Sequence, residues 1–206
     1  MLNGRGAIRF TGGHGDVKNM LSGENLPNSD IGAARGSLRW FAGDRTTVTV
    51  SGFYERNQQD TFNYILRGGP NYPAAMLDEP LGFKRKLAIG SVEVKQEFDN
   101  FDLICTFGIQ DIRARMTSDN TDGLVYSQLT GLPPSFFSSR TCSDCTRYDF
   151  NERAYSGEVR ATSKPEAPVR WITGVSIYNS SFEQGGTNTS SRSGRPRTAY
   201  IMRSWI

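Results

Sequence analysis

The alternation of apolar and polar residues at every second position is the feature that most constrains this fold. Residues i and i+2 of a β-strand lie on the same face, so alternation predicts strands with one apolar and one polar face. No segment of comparable length shows the 3.6-residue period of a helix. The alternating segments are 4–11, 33–41, 46–56, 86–98, 101–113, 152–163 and 169–178. The chain is therefore predicted to be all-β.

The connections between these segments alternate in length. Short linkers of turn-forming residues lie at 42–45, 99–100 and 164–168. Long polar stretches lie at 12–32, 57–85 and 114–151. Short turns at one edge and long loops at the other are typical of an outer-membrane barrel. The predicted fold is an antiparallel up-and-down meander of about seven strands, an open partial segment of a transmembrane β-barrel.

The two faces of the predicted strands differ as this fold requires. In segment 46–56 one face carries Val48, Val50, Gly52 and Tyr54, whereas the other carries Thr47, Thr49, Ser51 and Glu55, with Phe53 as an exception. A soluble β-sandwich shows the same alternation, with its apolar face turned to a core. The apolar faces here include many Gly and Ala residues, which suits contact with fluid acyl chains better than a close-packed core. The barrel is preferred, and the sandwich stays as the alternative.

Large aromatic residues recur near the ends of the predicted strands. Those beside the short turns are Trp40, Phe98, Phe101 and Trp171, and those toward the opposite ends are Tyr54 and Tyr155. Amphipathic rings are favoured at the level of the lipid headgroups. These six residues are therefore predicted to form a membrane-interface girdle.

Composition and motifs exclude several other classes of protein. The 24 basic and 21 acidic residues are spread along the chain, without the clustered stripe expected of a nucleic-acid-binding protein. We find no paired carboxylates, Ser/His/Asp set or phosphate-binding loop above chance, so no enzyme activity, cofactor or metal site is predicted. The first residues, 1–10, lack the features of a secretory signal, which leads us to expect an interior piece of a longer exported protein.

Two stretches combine turn chemistry with particular strand residues. The first has the pattern R-x-x-L-R-W, then Asp-Arg, then a strand ending near Tyr, at Arg35, Leu38, Arg39, Trp40, Asp44, Arg45, Val48 and Tyr54. The second has the pattern S-x-E-V-R-x-x-S before a Pro-containing turn and a Trp, at Ser156, Glu158, Val159, Arg160, Ser163, Pro165, Pro168 and Trp171. Together with 97–123, these stretches resemble barrel segments of TonB-dependent outer-membrane receptors, and the resemblance covers about residues 4–182.

The resemblance implies a Gram-negative outer-membrane protein that takes up iron chelates, such as siderophores, or another scarce nutrient. Members of the family have a barrel of about 22 strands with a plugged lumen. The expected partners are outer-membrane lipid, a plug domain and the remaining barrel strands. Neither the plug nor the TonB-contacting segment resembles any part of this chain, so contact with TonB is expected only through a missing N-terminal part. Residues 1–184 are assigned to the barrel and 185–206 to an out-of-pattern, disordered tail.

Candidate site residues fall into two groups. Charges expected to face the lumen are Arg35, Arg39, Glu93, Lys95, Glu97, Glu158 and Arg160. They are predicted to contact a plug or ligand, or to form solvated ladders in which each pair contributes a few tenths of a kcal/mol. Aromatic candidates for ligand contact in the long loops are Tyr64, Tyr72, Tyr126, Phe136 and Phe137.

The cysteines Cys142 and Cys145 lie in the longest predicted loop. In an oxidising compartment two cysteines at this spacing favour a short disulfide, with two free thiols as the alternative. The leading functional hypothesis is a receptor fragment for nutrient uptake that is inactive by itself. The alternatives are a secreted β-sandwich binding module and a passive outer-membrane pore.

Overall fold

The computed structural model describes residues 1–62, 65, 72–79, 81–137, 144–190 and 202–205. Of these described residues, 73% lie in strands and 6% in helices. The strands are β1 (Leu2–Asn19), β2 (Asn25–Phe41), β3 (Thr46–Thr61), β4 (Ala74–Ala75), β5 (Leu81–Glu97), β6 (Phe101–Asp119), β7 (Asp144–Ser163), β8 (Ile172–Ser190) and β9 (Met202–Trp205). The helix α1 (Gly123–Thr130) and a 3-10 turn (Pro134–Phe136) lie between β6 and β7.

The strands form one sheet with the order β4-β1-β2-β3-β5-β6-β7-β8-β9. Seven long strands pair antiparallel with their neighbours in sequence, and the sheet curls into an open half-barrel. The predicted antiparallel meander is therefore confirmed. Two short strands were not predicted. The two residues of β4 pair parallel with the end of β1, and β9 pairs with part of β8.

The long strands extend well beyond their predicted ends. β1 continues to Asn19, β3 to Thr61 and β6 to Asp119, so the connections predicted at 12–32, 57–85 and 114–151 are shorter than expected. Sequence alternation fades where both faces of a strand are polar, but the backbone hydrogen bonds continue there. For the same reason β8 runs to Ser190, paired with β7, and the predicted boundary at 184 falls inside a strand. Residues 191–201 and 206 lie outside the described residues.

The three predicted turns hold, with one adjustment. β2 and β3 are joined by 42–45, and a tight turn at 98–100 joins β5 to β6, where the amide of Phe98 donates to the carbonyl of Phe101 at 2.9 Å. β8 begins at Ile172, three residues after its predicted start at 169. Two prolines in 164–168 deprive this connection of backbone donors, so the ladder begins only beyond them.

The described residues have a small buried core at the loop end of the sheet. Val17, Leu26, Ala75 and Leu77 form this core, with Phe62 and Ile65 packed against it. Among the described residues no second sheet covers the curved sheet, because all the strands belong to one sheet. The core therefore fixes the loops and leaves both faces of the half-barrel open.

Candidate membrane face and loop site

The strand register sorts the side chains into two faces. We call the face that carries Val48, Val50 and Tyr54 the apolar face, and the face that carries Thr49 and Ser51 the polar face. One row of aligned residues on the apolar face consists of Leu2, Trp40, Val48, Val94, Cys105, Val159 and Val175. The next row consists of Gly4, Leu38, Val50, Val92, Phe107, Gly157 and Ile177. The apolar positions of separate strands are therefore continuous across the sheet.

Exposure alternates between the two faces along the central strand β3, whereas 2–14 of β1 and 172–179 of β8, at the edges of the sheet, are exposed on both faces. In β3 Val50 and Tyr54 are exposed, whereas Ser51, Phe53 and Glu55 on the polar face are half-buried. Curvature spreads side chains apart on the convex side of a sheet and crowds them on the concave side. This pattern supports the predicted arrangement, with the apolar face outward and the polar face toward the lumen.

The apolar residues form a band that crosses the strands diagonally. On the apolar face, each strand has a first polar or charged residue on the loop side of this band. In order from β2 to β8 these residues are Asp30, Arg56, Lys86, Asp111, Arg153 and Asn179. Arg56 pairs with Lys86, and Asp111 pairs with Arg153, so those steps show no shift. The steps from β2 to β3, from β5 to β6 and from β7 to β8 each shift the boundary by two residues. The total shift is six residues over five steps. The boundary therefore moves steadily along the strands.

This shift defines an angle between the strands and the edge of the band. Each residue advances about 3.3 Å along a strand, and neighbouring strands lie about 4.8 Å apart. A shift of six residues over five steps therefore means that the strands are tilted by about 40° from the perpendicular to the edge of the band. Transmembrane barrels tilt their strands by roughly 35–45° from the barrel axis. A planar lipid boundary across tilted strands would produce this diagonal.

The height of the band also matches a membrane. In β6 it extends over residues 101–109, from Phe101 to Ile109. Nine residues at this tilt rise about 23 Å, close to the apolar belt of roughly 25 Å in outer-membrane barrels. A strand of about 9–11 residues is the usual length for one crossing.

The predicted girdle residues lie at both edges of the band. At the turn end the rings of Phe98 and Phe101 stack at 4.7 Å, and Trp171 lies 6.2 Å from Phe101. Trp40 is aligned with Val48 on the apolar face. At the loop end Tyr54 and Tyr155 each lie two residues from the first charged residue beyond the band on the apolar face, which is Arg56 in β3 and Arg153 in β7. The structure therefore brings three of the six rings into one cluster and distributes the others along the edges.

The predicted lumen-facing charges all fall on the polar face. Arg39, Glu93 and Glu158 lie in one row with Thr49 and Thr106, and Arg35 lies opposite Phe53. Ion pairs join Lys95 to Glu97 at 2.7 Å and Arg160 to Glu158 at 3.6 Å. Sequence reasoning missed Asp102 and Lys164, which pair with each other beside Lys95, and the pair of Arg85 with Glu55 at 2.5 Å. The pairs Lys95–Asp102 and Arg85–Glu55 join neighbouring strands, whereas Lys95–Glu97 and Arg160–Glu158 each lie within one strand.

The polar face also carries an apolar patch that the sequence did not predict. Its members, near the loop end, are Phe83, Ile112, Met116, Tyr148, Phe150 and Phe182. The rings of Tyr148 and Phe150 lie 6.3 Å apart, and those of Phe150 and Phe182 lie 6.4 Å apart. The alternation of aromatic and polar residues in 148–152 could have indicated this patch, but nearly all of this stretch lies in 114–151, a segment predicted to be a loop.

Three of the five predicted ligand-contacting aromatics come together in the loops. Phe137 lies 5.6 Å from Tyr126 and 5.3 Å from Phe136, between ring centroids. Phe136 is 69% exposed, so this cluster offers an open apolar surface to a ligand. Tyr72 is exposed and has no ring contact with the cluster among the described residues. Tyr64 lies outside the described residues.

The aromatic cluster is positioned by polar side chains that sequence reasoning missed. Asp122 begins helix α1, accepting hydrogen bonds from the amides of Leu124 at 2.8 Å and Val125 at 3.1 Å. Its other carboxylate oxygen accepts from the amide of Met76 at 3.1 Å. The helix ends at Gly131, whose φ of 74° suits glycine. Asp122 therefore fixes the start of α1 to the segment 72–79.

Asp119 makes a second link between the same segments. Its carboxylate accepts from the amides of Asp78 at 2.8 Å, Thr121 at 2.9 Å and Glu79 at 3.4 Å. Burial raises the pKa of Asp119, and the three backbone hydrogen bonds oppose that rise. Asn19 makes a similar link, donating to the carbonyl of Leu77 at 3.0 Å and accepting from its amide at 3.2 Å. Together these side chains hold the loops in one assembly.

The cysteines are the remaining candidate site residues. Cys145 is disulfide-bonded, Cys105 is a free thiol on the apolar face, and Cys142 lies outside the described residues. Within the described part of the chain, no group of three His, Cys, Asp or Glu side chains is placed to hold a metal ion. No helix in that part combines the length and hydropathy of a membrane span.

The fold and surface define an open antiparallel half-barrel with a diagonal apolar belt and an ordered assembly of loops. No family model, curated protein or solved structure matches the chain. The apolar band, the polar face and the loops are therefore the features of the molecule that bear on its function.

Proposed function

We propose that this chain forms part of a transmembrane β-barrel in a bacterial outer membrane, with the apolar face in contact with lipid. The diagonal apolar band is the observation that carries the proposal. Its tilt of about 40° and its height of about 23 Å are both those of a membrane barrel. Soluble β-sandwiches instead bury the apolar face of a sheet against a second sheet.

The edges of the half-barrel support a larger assembly. Residues 2–17 of β1 and 172–180 of β8 have no partner on their outer sides among the described strands. In hydrocarbon each unpaired backbone N–H or C=O group costs several kcal/mol. The barrel that functions in a membrane is therefore completed by further strands, which pair with β1 and β8.

We propose further that the parent protein is a TonB-dependent receptor for iron chelates or another scarce nutrient. The resemblance in 32–60, 97–123 and 151–182 supports this choice. The exposed aromatic cluster of Tyr126, Phe136 and Phe137 supplies a surface for initial ligand contact. The polar face would line the lumen and meet a plug domain. Without a plug and a TonB contact, this chain by itself would not transport a ligand.

Alternating accessibility along β3 tests the membrane placement. A spin label is attached at Val50→Cys or Ser51→Cys in the complete barrel that contains this chain, reconstituted in lipid vesicles, with the free thiol Cys105 replaced by Ala. We expect the label at 50 to collide with oxygen dissolved in lipid, and the label at 51 to collide with a water-soluble nickel chelate. Equal access of the nickel chelate to both labels would contradict the proposal.

A further inference from the structure

Five cationic side chains lie together on the apolar face, directly beyond the apolar band. They belong to three neighbouring strands and are exposed: Arg56 in β3, Lys84 and Lys86 in β5, and Arg113 and Arg115 in β6. The register aligns Arg56, Lys86 and Arg113 in one row, and Lys84 with Arg115 in the next. We call these five residues the basic patch.

The charge of the basic patch is only partly balanced by carboxylates. Arg113 pairs with Asp111 at 3.1 Å, and Arg115 pairs with Asp149 at 2.6 Å. Asp111 is also bound by Arg153 at 3.0 Å. The other three cations of the patch, in β3 and β5, form no ion pair with a described carboxylate. Like charges this close repel one another, so the patch favours a bound anion.

The space around the patch fits an anion that is attached to an apolar tail. An open cleft of about 430 Å³ lies among the five cations. A second cleft, of about 710 Å³, shares Arg56 and Gln58 with the first and continues over Ile8, Phe10 and Tyr54. Polar and apolar lining therefore meet at Arg56, at the edge of the band.

We propose that the basic patch binds the phosphate-bearing headgroup of a membrane lipid whose acyl chains lie on the apolar band. This inference rests on the proposed membrane placement, which puts the patch at headgroup level. Arginine binds phosphate oxygens through two parallel N–H donors, and lysine contributes a point charge. An acidic protein or a free anion would leave the adjoining apolar cleft unexplained. A phosphorylated lipid fits both the cleft among the cations and the apolar cleft beside it.

Calorimetric titration of the complete barrel that contains this chain, in a nonionic detergent, tests this proposal. The probes are dihexanoyl phosphatidic acid, dihexanoyl phosphatidylcholine and inorganic phosphate. We expect phosphatidic acid to bind more tightly than either of the other two, since it alone combines net negative charge with acyl chains. Tight binding of inorganic phosphate, equal to that of phosphatidic acid, would overturn the lipid assignment.

The double variant Arg56→Gln with Lys86→Gln is the main perturbation. Each basic side chain near an anionic surface strengthens binding by roughly fivefold, so loss of two should weaken binding of phosphatidic acid by roughly 30-fold. The matched control, Arg35→Gln with Arg39→Gln, removes the same charge from the polar face and should leave binding unchanged. An equal loss in both double variants would overturn the proposal, because only net charge would then matter. Circular dichroism verifies that both variants fold.

Two further measurements distinguish a failure of this lipid-binding proposal from a failure of the proposed membrane placement. Raising the NaCl concentration from 50 to 500 mM should weaken lipid binding by the natural chain more than by the Arg56/Lys86 variant, because salt screens exposed charges. The spin labels at 50 and 51 report the lipid contact of the apolar face independently. Lipid contact at 50 without selective binding of phosphatidic acid would refute the basic patch alone, whereas water contact at 50 would refute the membrane placement.

Discussion

Phe107 lies inside the apolar band, two residues from its centre at Cys105, and gives the sharpest test of lipid contact. It is 53% exposed, and its row neighbours are Val92 and Gly157. An arginine on the lipid face near the bilayer midplane costs about 2–4 kcal/mol. The substitution Phe107→Arg should therefore reduce the equilibrium constant for insertion by roughly 30- to 1,000-fold.

The preceding residue supplies the matched control. Thr106 points to the polar face, between Glu93 and Glu158 in the register. An arginine at 106 would lie beside two carboxylates, where opposite charges on neighbouring strands contribute roughly 0.2–1 kcal/mol of stability. We therefore expect Thr106→Arg to leave insertion unchanged or slightly improved.

The assay compares the two variants of the complete barrel that contains this chain, in phosphatidylcholine vesicles under urea. Insertion is followed by tryptophan fluorescence and by flotation of the vesicles, and the urea midpoint gives the change in free energy. A large loss for Phe107→Arg alone is expected. If Phe107→Arg inserts as well as the natural chain, or if Thr106→Arg loses as much, the assignment of the two faces is wrong.

Four other predictions concern the loops and transport. Asp122→Ala should destabilise the start of α1 by about 1 kcal/mol, since it removes the helix N-cap, and should speed hydrogen exchange of the first-turn amides. Because the pKa of the Asp119 carboxyl is raised, the folded loops bind its proton more tightly than the unfolded chain does. The stability of the loops should therefore fall as the pH rises from the unfolded pKa of Asp119 through its folded pKa. Hydrogen exchange of the Thr121 amide, corrected for the intrinsic rate, should show this fall as a loss of protection. Phe137→Ala should weaken ligand capture by intact receptor while leaving its amount in the membrane unchanged, as measured by binding to whole cells. The chain expressed alone in cells without the receptor should give no TonB-dependent uptake, and such uptake would contradict the proposed need for a plug.

The strands and short turns could be predicted because their signals are local. Alternation in 46–56 marks two faces, and the turn at 99–100 lies between two such segments. The polar ends of β1, β6 and β8 could not be predicted in the same way. Their side chains are polar on both faces except for isolated apolar residues such as Val17, Met116 and Phe182, so no alternation marks these ends, and the pairing of backbones keeps them extended.

The loop assembly was beyond sequence reasoning for another reason. The carboxylate of Asp119 binds amides 40 and 41 residues earlier in the chain, and Asn19 binds Leu77 across 58 residues. Such contacts have no period and no fixed spacing. Tyr126, Phe136 and Phe137 were chosen only as aromatic residues in a loop, and their grouping depends on the helix that Asp122 begins.

The diagonal band combines local and long-range information. Each strand alone shows where its apolar positions stop, for example at Arg56 in β3 and at Arg153 in β7, but only the register relates those points to one another. A soluble sandwich must cover its apolar face, yet Val50, Phe107 and Ile177 are 48%, 53% and 72% exposed and lie in one row. A face this open is stable in water only with an apolar cover. Lipid is the cover that we propose, and a planar lipid boundary across strands tilted by about 40° would give the steady shift of the boundary from β2 to β8.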